Sequence, residues 1–108
     1  MLEKLKEIGL TDKEIIILRA LIEGGESSIL KISKITGISR SYCYEAIESL
    51  MNKGIVSKVI LNKKTAWKAN PIERIINHID IIKEEIRQEL SKLHKTEKDE
   101  DIKALFNK

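Results

Sequence analysis

The sequence is poor in the residue types that most often build disulfides and metal sites. Its 108 residues include one cysteine, one proline, five glycines and only 4% aromatic residues. A lone cysteine, Cys43, cannot form an internal disulfide, and it lacks the Cys and His neighbours of a zinc site. We therefore predict no metal, and the cysteine usage favours the reducing cytoplasm.

Long apolar runs are also absent. No stretch approaches the roughly 20 apolar residues that a membrane span requires. Residues 1–8 alternate apolar and charged side chains, so they lack the apolar centre of a signal peptide. The sequence therefore predicts neither membrane association nor export.

The arrangements that support catalysis are missing as well. The sequence contains no recognisable Ser, His and Asp set, no glycine-rich phosphate loop and no paired catalytic carboxylates. His78 and His94 stand in one helical segment without clustered thiol or carboxylate partners. We expect a protein that is not an enzyme and that needs no cofactor.

Charge is present in quantity and is unevenly distributed. The net charge is +3, but residues 1–70 carry twelve Lys or Arg against eight Asp or Glu. Residues 71–108 carry eight against nine, and no acidic residue occurs between 49 and 72. Taken alone, this basic stretch fits either a solvated lysine surface or a surface that meets a polyanion.

The first half of the chain predicts helices. A short helix ends at Gly9, and a capping box over residues 11–14 starts the next helix near Asp12. Residues 15–18 make that helix apolar nearly all round, although a small domain should leave one side exposed. We therefore place Ile16 and Ile17 under a cover, either the C-terminal helix or, as we favour, a partner subunit.

Helical spacing extends the buried stripe of this second helix to Ile22. A third helix, capped by Ser27 or Ser28, should turn Ile29, Ile32 and Ile35 inward.

The next elements predict a helix-turn-helix followed by a hairpin. After Gly37, Ser39 caps a fourth helix over residues 40–53, which Gly54 stops. On this helix, Cys43, Ile47 and Leu50 share the inward face. Two β-prone runs follow, residues 55–61 and 65–69, joined across a basic turn of Asn62, Lys63 and Lys64.

A long helix is predicted to follow Pro71, over residues 71–95, before a charged linker and tail at 96–108. Its apolar residues recur at spacings of three and four. A domain of this size cannot bury so long a stripe, so we predict pairing with a second copy. The predicted dimer interface comprises Ile16, Ile17, Ile75, Ile79, Ile82, Ile86, Leu90 and Leu93.

A helix-turn-helix lays its second helix in the major groove of double-stranded DNA, and residues 38–54 supply that helix here. Arg40 could contact guanine or a phosphate, and both remain open. Lysines of the preceding helix and of the hairpin turn would neutralise phosphates. The predicted DNA-binding residues are Lys31, Lys34, Ser39, Arg40, Ser41, Tyr42, Tyr44, Lys63 and Lys64.

Two short motifs carry a resemblance to a known family. Arg40-Ser41-x-x-Tyr44-Glu45 and residues 53–56, Lys-Gly-Ile-Val, are its most specific parts, within a match from about residue 8 to residue 71. The sequence resembles the N-terminal domain of the TrmB-like archaeal transcriptional regulators and, more distantly, the MarR-like and ArsR-like repressors.

The resemblance implies a mainly α fold with a small β-hairpin, a winged helix-turn-helix over residues 1–70 followed by the long dimerisation helix. It implies transcriptional control by a DNA-binding homodimer, with repression and activation both open. Longer members carry a sugar-binding effector domain, which we do not carry over, and any small-molecule effector is unknown.

Two other functions fit a winged helix. One is a protein-interaction module of the transcription machinery, in which the long apolar stripe docks on a different protein. The other is a nonspecific chromosome-coating protein, which the mixed Tyr, Ser and Glu surface of residues 41–48 disfavours.

Overall fold

A computed structural model describes the backbone of residues 2–99 and the side chains up to residue 94. It is mainly helical with one two-stranded hairpin, which confirms the predicted fold class. The elements are a short 3₁₀ helix, Glu3–Ile8, then α1 (Asp12–Gly24), α2 (Ile29–Thr36), α3 (Arg40–Asn52), β1 (Val56–Leu61), β2 (Lys64–Ala69) and α4 (Ile72–Asp99). The predicted tail beyond residue 99 lies outside the described residues.

The N-terminus of α1 is closed by the predicted capping box. The Glu14 amide donates to Thr11 Oγ1 (3.2 Å), and the Thr11 amide donates to Glu14 Oε1 (3.4 Å). Two of the amides that a helix start leaves unpaired are thereby satisfied, which explains why the helix begins at Asp12.

The turn between α2 and α3 is held by side chains as well as by glycine. Ser28, not Ser27, caps α2, and Gly37 ends it with a left-handed φ of 75°. Ser33 Oγ donates to the Ile38 carbonyl (2.6 Å), and Thr36 Oγ1 accepts from the Ile38 amide (3.2 Å). Both hydroxyls therefore fix the point where the chain enters α3.

The hairpin is antiparallel and pairs Val56 with Ala69 and Leu61 with Lys64. Its two-residue turn has positive φ at both positions, 52° at Asn62 and 64° at Lys63, which is typical of a type I′ turn. At the other end, the Asn70 side chain donates to the Gly54 carbonyl (2.8 Å) and accepts from Ser57, so it ties the hairpin to the end of α3.

The core lies where α1, α2, α3 and β2 meet. Because α1 packs against all three neighbours, it buries more of its circumference than a surface helix would. Ile17 is completely buried there (0% exposed), so its assignment to a dimer interface was wrong. Ile16, the other residue of that pair, is 47% exposed.

Two further expectations about helix faces were wrong. Ile22 and Ile35 are both 56% exposed, and the buried stripe of α1 runs through Leu21 instead of Ile22. The buried core residues are Leu10, Ile15, Ile17, Leu18, Leu21, Ile32, Cys43, Ala46, Ile47, Leu50, Ile55, Val56 and Trp67.

The chain divides into two units between Ile75 and Ile76. Ile75, in the first turn of α4, packs against the winged-helix core and so belongs to the first unit. The second unit contains the rest of α4, which runs to Asp99, four residues past its predicted end. No helix within residues 2–99 is long and apolar enough to span a bilayer.

Candidate nucleic-acid interface

Helix α3 is fixed in the domain by one face and by both of its ends. Cys43, Ile47 and Leu50 are buried, as predicted from their spacing. At the start of the helix, Ser39 Oγ accepts from the Tyr42 amide (3.4 Å). At its end, Gly54 adopts a left-handed φ of 75°. The opposite face of α3 is thereby presented to solvent in a defined orientation.

The exposed face of α3 combines a cation, a hydroxyl and two carboxylates. Arg40 and Ser41 lie in the first turn and are exposed. Ser41, Glu45 and Glu48 follow one another at spacings of four and three, which aligns them along the side opposite the buried face. Glu45 was not among the predicted site residues, although its register with Ser41 could have been read from the sequence.

The two tyrosines of this helix lie on opposite flanks of the exposed face. Lys13, at the start of α1, places its Nζ 3.9 Å from the centroid of the Tyr42 ring, within the range of a cation–π contact. Tyr44 packs edge-on against Trp67 of β2, with 5.9 Å between ring centroids. Each ring is therefore oriented by the domain, and Lys13 adds a cation that sequence reasoning missed.

The four predicted phosphate-binding lysines are all exposed. Lys31 and Lys34 lie on α2, and Lys31 Nζ donates to the Gly24 carbonyl (3.3 Å). Lys63 forms the hairpin turn with Asn62, and Lys64 begins β2. In a helix-turn-helix, the helix before the recognition helix crosses the DNA backbone. The phosphate contacts of the four lysines stay predictions.

A partly buried ion pair joins the start of α1 to the end of α3. Glu14 is only 4% exposed, and its Oε2 accepts from Lys53 Nζ (2.9 Å) and Ser49 Oγ (3.2 Å). Lys53 Nζ also donates to the Gly9 carbonyl (3.1 Å). Burial acts to raise the pKa of Glu14, but the hydrogen bonds from Lys53 and Thr11 and the Lys53 charge outweigh it, so the pKa lies below its usual value.

This pair predicts an acid-sensitive component of stability. The pKa of Glu14 is lower in the folded chain than in the unfolded chain. Its contribution to the free energy of unfolding is therefore complete above the unfolded pKa of about 4.3 and is lost as the pH falls through the folded pKa. Glu14→Gln should cost about 1–3 kcal/mol at pH 7, since Lys53 keeps only neutral partners.

Urea unfolding between pH 7 and pH 3 measures this effect as the difference in the free energy of unfolding between wild type and Glu14→Gln. The difference should shrink as the pH falls below about 4.3. Glu23→Gln, an exposed glutamate on α1, is the matched control and should unfold as wild type does. A difference that is independent of pH would show that Glu14 contributes through packing and not through its charge.

Cys43 belongs to the core. It is fully buried, its Sγ lies 3.5 Å from the Ile38 carbonyl oxygen, and burial raises the pKa of the thiol against the opposing hydrogen bond with Thr36. A raised pKa disfavours the reactive thiolate. Among the described side chains, no group of three His, Cys, Asp or Glu is placed to hold a metal ion.

The second unit presents an apolar stripe along α4. Ile82, Ile86, Leu90 and Leu93 are between 40% and 58% exposed, and Ile79 is half-buried. Single exposed apolar residues are ordinary, but a continuous stripe of this length is the kind of surface that partners cover. Ile81 is also exposed but lies on the opposite side of the helix.

The chain matches a known protein family. The model for the family described as "Sugar-specific transcriptional regulator TrmB" matches residues 5–73. The matched segment contains α1, α2, α3 and the hairpin, and therefore every predicted DNA-binding residue.

Individual proteins and solved structures are also similar to this chain. The chain is 29% identical over 89 residues to the uncharacterised protein MJ1082 of Methanocaldococcus jannaschii, covering 79% of this chain and 74% of that protein. The archaeal chromatin protein TrmBL2 has a similar fold, with a TM-score of 0.76 and 19% identity. That alignment covers 99% of this chain but only 41% of TrmBL2. The Thermotoga maritima transcriptional regulator Tm0710 aligns with a TM-score of 0.60 and 18% identity over 98% of this chain and 80% of its own.

Proposed function

Since the chain belongs to the TrmB family of DNA-binding transcriptional regulators, we propose that it binds specific double-stranded DNA sites as a homodimer. Helix α3 would enter the major groove, and the hairpin turn around Lys63 would rest on the backbone. The observation that carries this proposal is the exposed, oriented face of α3, which occurs together with exposed cations on α2 and on the hairpin tip. Sugar recognition forms no part of the proposal, and neither catalysis nor a cofactor is required by it.

The homodimer is supported by the charges beside the apolar stripe of α4. Lys83 and Arg87 lie along one edge of the stripe, and Glu85 and Glu89 lie along the other. In a parallel pair of helices, the edge with Lys83 on one copy faces the edge with Glu85 on the other. In an antiparallel pair, each edge faces the same edge of the second copy. A second copy in parallel orientation would therefore bring Lys83 and Arg87 of each copy toward Glu85 and Glu89 of the other.

Similarity to TrmBL2, described as a chromatin protein, makes nonspecific DNA coating the second candidate. Such a protein gains affinity by neutralising phosphates and has no use for carboxylates on its groove-facing helix. Glu45 and Glu48 on the exposed face of α3 therefore favour a site-specific protein.

The proposal predicts DNA binding that weakens steeply with salt. The logarithm of affinity should fall with the logarithm of salt concentration, by about 0.9 for each phosphate neutralised. Lys63→Gln combined with Lys64→Gln should reduce that slope by about 0.9 for each lysine removed, counted over both protomers. Fluorescence anisotropy with genomic duplex fragments at several salt concentrations measures the slope.

Lys4→Gln is the matched control for these lysines, because Lys4 is exposed on the 3₁₀ helix at the start of the chain. It should leave the slope unchanged. Binding that is absent or insensitive to salt would overturn the proposal. Sedimentation of the free chain tests the interaction-module alternative, since a stable monomer would leave the α4 stripe available to a different protein.

A further inference from the structure

Two carboxylates lie on the surface of α3 that the proposed function places in the major groove. Glu45 and Glu48 are exposed, and among the described side chains neither has a basic group within 4.0 Å. Arg40 lies in the first turn of α3, and Lys13 of α1 lies over the Tyr42 ring on one flank of α3. Glu45 lines a cleft between α1 and α3 together with Lys13. Among the described side chains, neither carboxylate forms an ion pair.

Duplex DNA carries about one negative charge for every 1.7 Å of its axis, so an unpaired carboxylate on this face is repelled wherever it meets phosphates. The repulsion is offset only where the carboxylate accepts a hydrogen bond from a base. In the major groove, the donors on base edges are the amino groups of cytosine N4 and adenine N6. Adenine places the acceptor N7 beside its amino group, whereas cytosine places a C–H there, so a carboxylate is better matched to cytosine.

The position of Glu45 along the helix decides which carboxylate reaches a base. Glu45 is one turn after Ser41 and lies in the second turn of α3, whereas Glu48 lies about 4.5 Å further along the axis. In a helix-turn-helix, the N-terminal part of the recognition helix approaches the base edges. Glu45 is therefore the carboxylate that lies within reach of the groove floor.

We propose that Glu45 accepts a hydrogen bond from the N4 amino group of one cytosine in each half-site and thereby selects a C·G base pair there. The inference rests on the proposed sequence-specific binding. It also assigns a discriminating role to the same side chain. Guanine and thymine present no donor to the carboxylate, and adenine presents the acceptor N7 beside its amino group, so the desolvated carboxylate weakens binding at these bases.

Selection of bound duplexes from a random library, followed by sequencing, tests this inference. Wild type should enrich one C·G position per half-site, with discrimination of about 10-fold or more at that position. Glu45→Gln should lose this preference or shift it to adenine, whose N6 and N7 match a carboxamide, while the other positions of the motif stay the same. Glu45→Ala should relax that position and strengthen binding to unrelated DNA.

Glu23→Gln makes the same change of charge on the exposed surface of α1 and should leave the motif unchanged. Because Glu45 is exposed, both Glu45 variants should melt at the wild-type temperature. A wild-type motif that Glu45→Gln reproduces at every position overturns this inference and leaves the proposed function intact. If wild type selects no motif, both the sequence-specific function and this inference fail.

Discussion

Replacing Ile86 with glutamate should convert the proposed homodimer into a monomer and weaken binding to a two-half-site operator by at least about 100-fold. Ile86 lies at the centre of the apolar stripe of α4 and is 49% exposed in the single chain. In a paired helix, the substitution would bury an unpaired carboxylate, which costs several kcal/mol, against a partner copy carrying the same charge. Each monomer would then hold one half-site, so the joint contribution of the second half-site is lost.

The matched control is Ile81→Glu on the same helix. Ile81 is 50% exposed and lies on the side away from the stripe, so the same substitution there should leave the dimer intact. Analytical ultracentrifugation measures the oligomeric state, and anisotropy with operators of one and two half-sites measures affinity. If Ile86→Glu remains a dimer with unchanged affinity, the α4 stripe is not the dimer interface.

Replacing Arg40 with alanine should lower affinity for the selected operator about 5- to 150-fold, which corresponds to the roughly 1–3 kcal/mol of a bidentate guanine contact. Arg40 is the first residue of α3 and is exposed, and among the described side chains it has no acidic partner within 4.0 Å. Affinity for unrelated DNA should fall much less, because one phosphate contact at most is removed.

Competition between operator and random duplex separates these two effects. Arg19→Ala, an exposed arginine on α1, removes the same charge away from α3 and should change neither affinity substantially. Equal losses on operator and random DNA would assign Arg40 to a phosphate and not to a base.

Local signals in the sequence predicted α3 well. Its start at the Ser39 cap, its termination before Gly54 and the burial of Cys43, Ile47 and Leu50 are all confirmed. These features depend on neighbouring residues and on the helical period, which the sequence contains directly. The DNA contacts assigned to this helix remain predictions.

Helix faces that depend on distant elements were harder to predict. In the apolar run of residues 15–18, periodicity alone could not tell that Ile17 faces the core and Ile16 faces solvent. That choice depends on where α2, α3 and β2 lie around α1. The contact between Glu14 and Lys53 joins residues 39 positions apart, so no local pattern reveals it.

Lys63 in the hairpin turn adopts a backbone conformation that lowers the stability of the fold. Its φ is 64°, in the left-handed region. Glycine adopts this conformation without strain, whereas a residue with a side chain loses about 1 kcal/mol of stability there. A glycine at this position would relax the turn and remove the cation from its tip. Folding stability favours glycine at this position, whereas the phosphate contact that we propose for Lys63 requires the lysine.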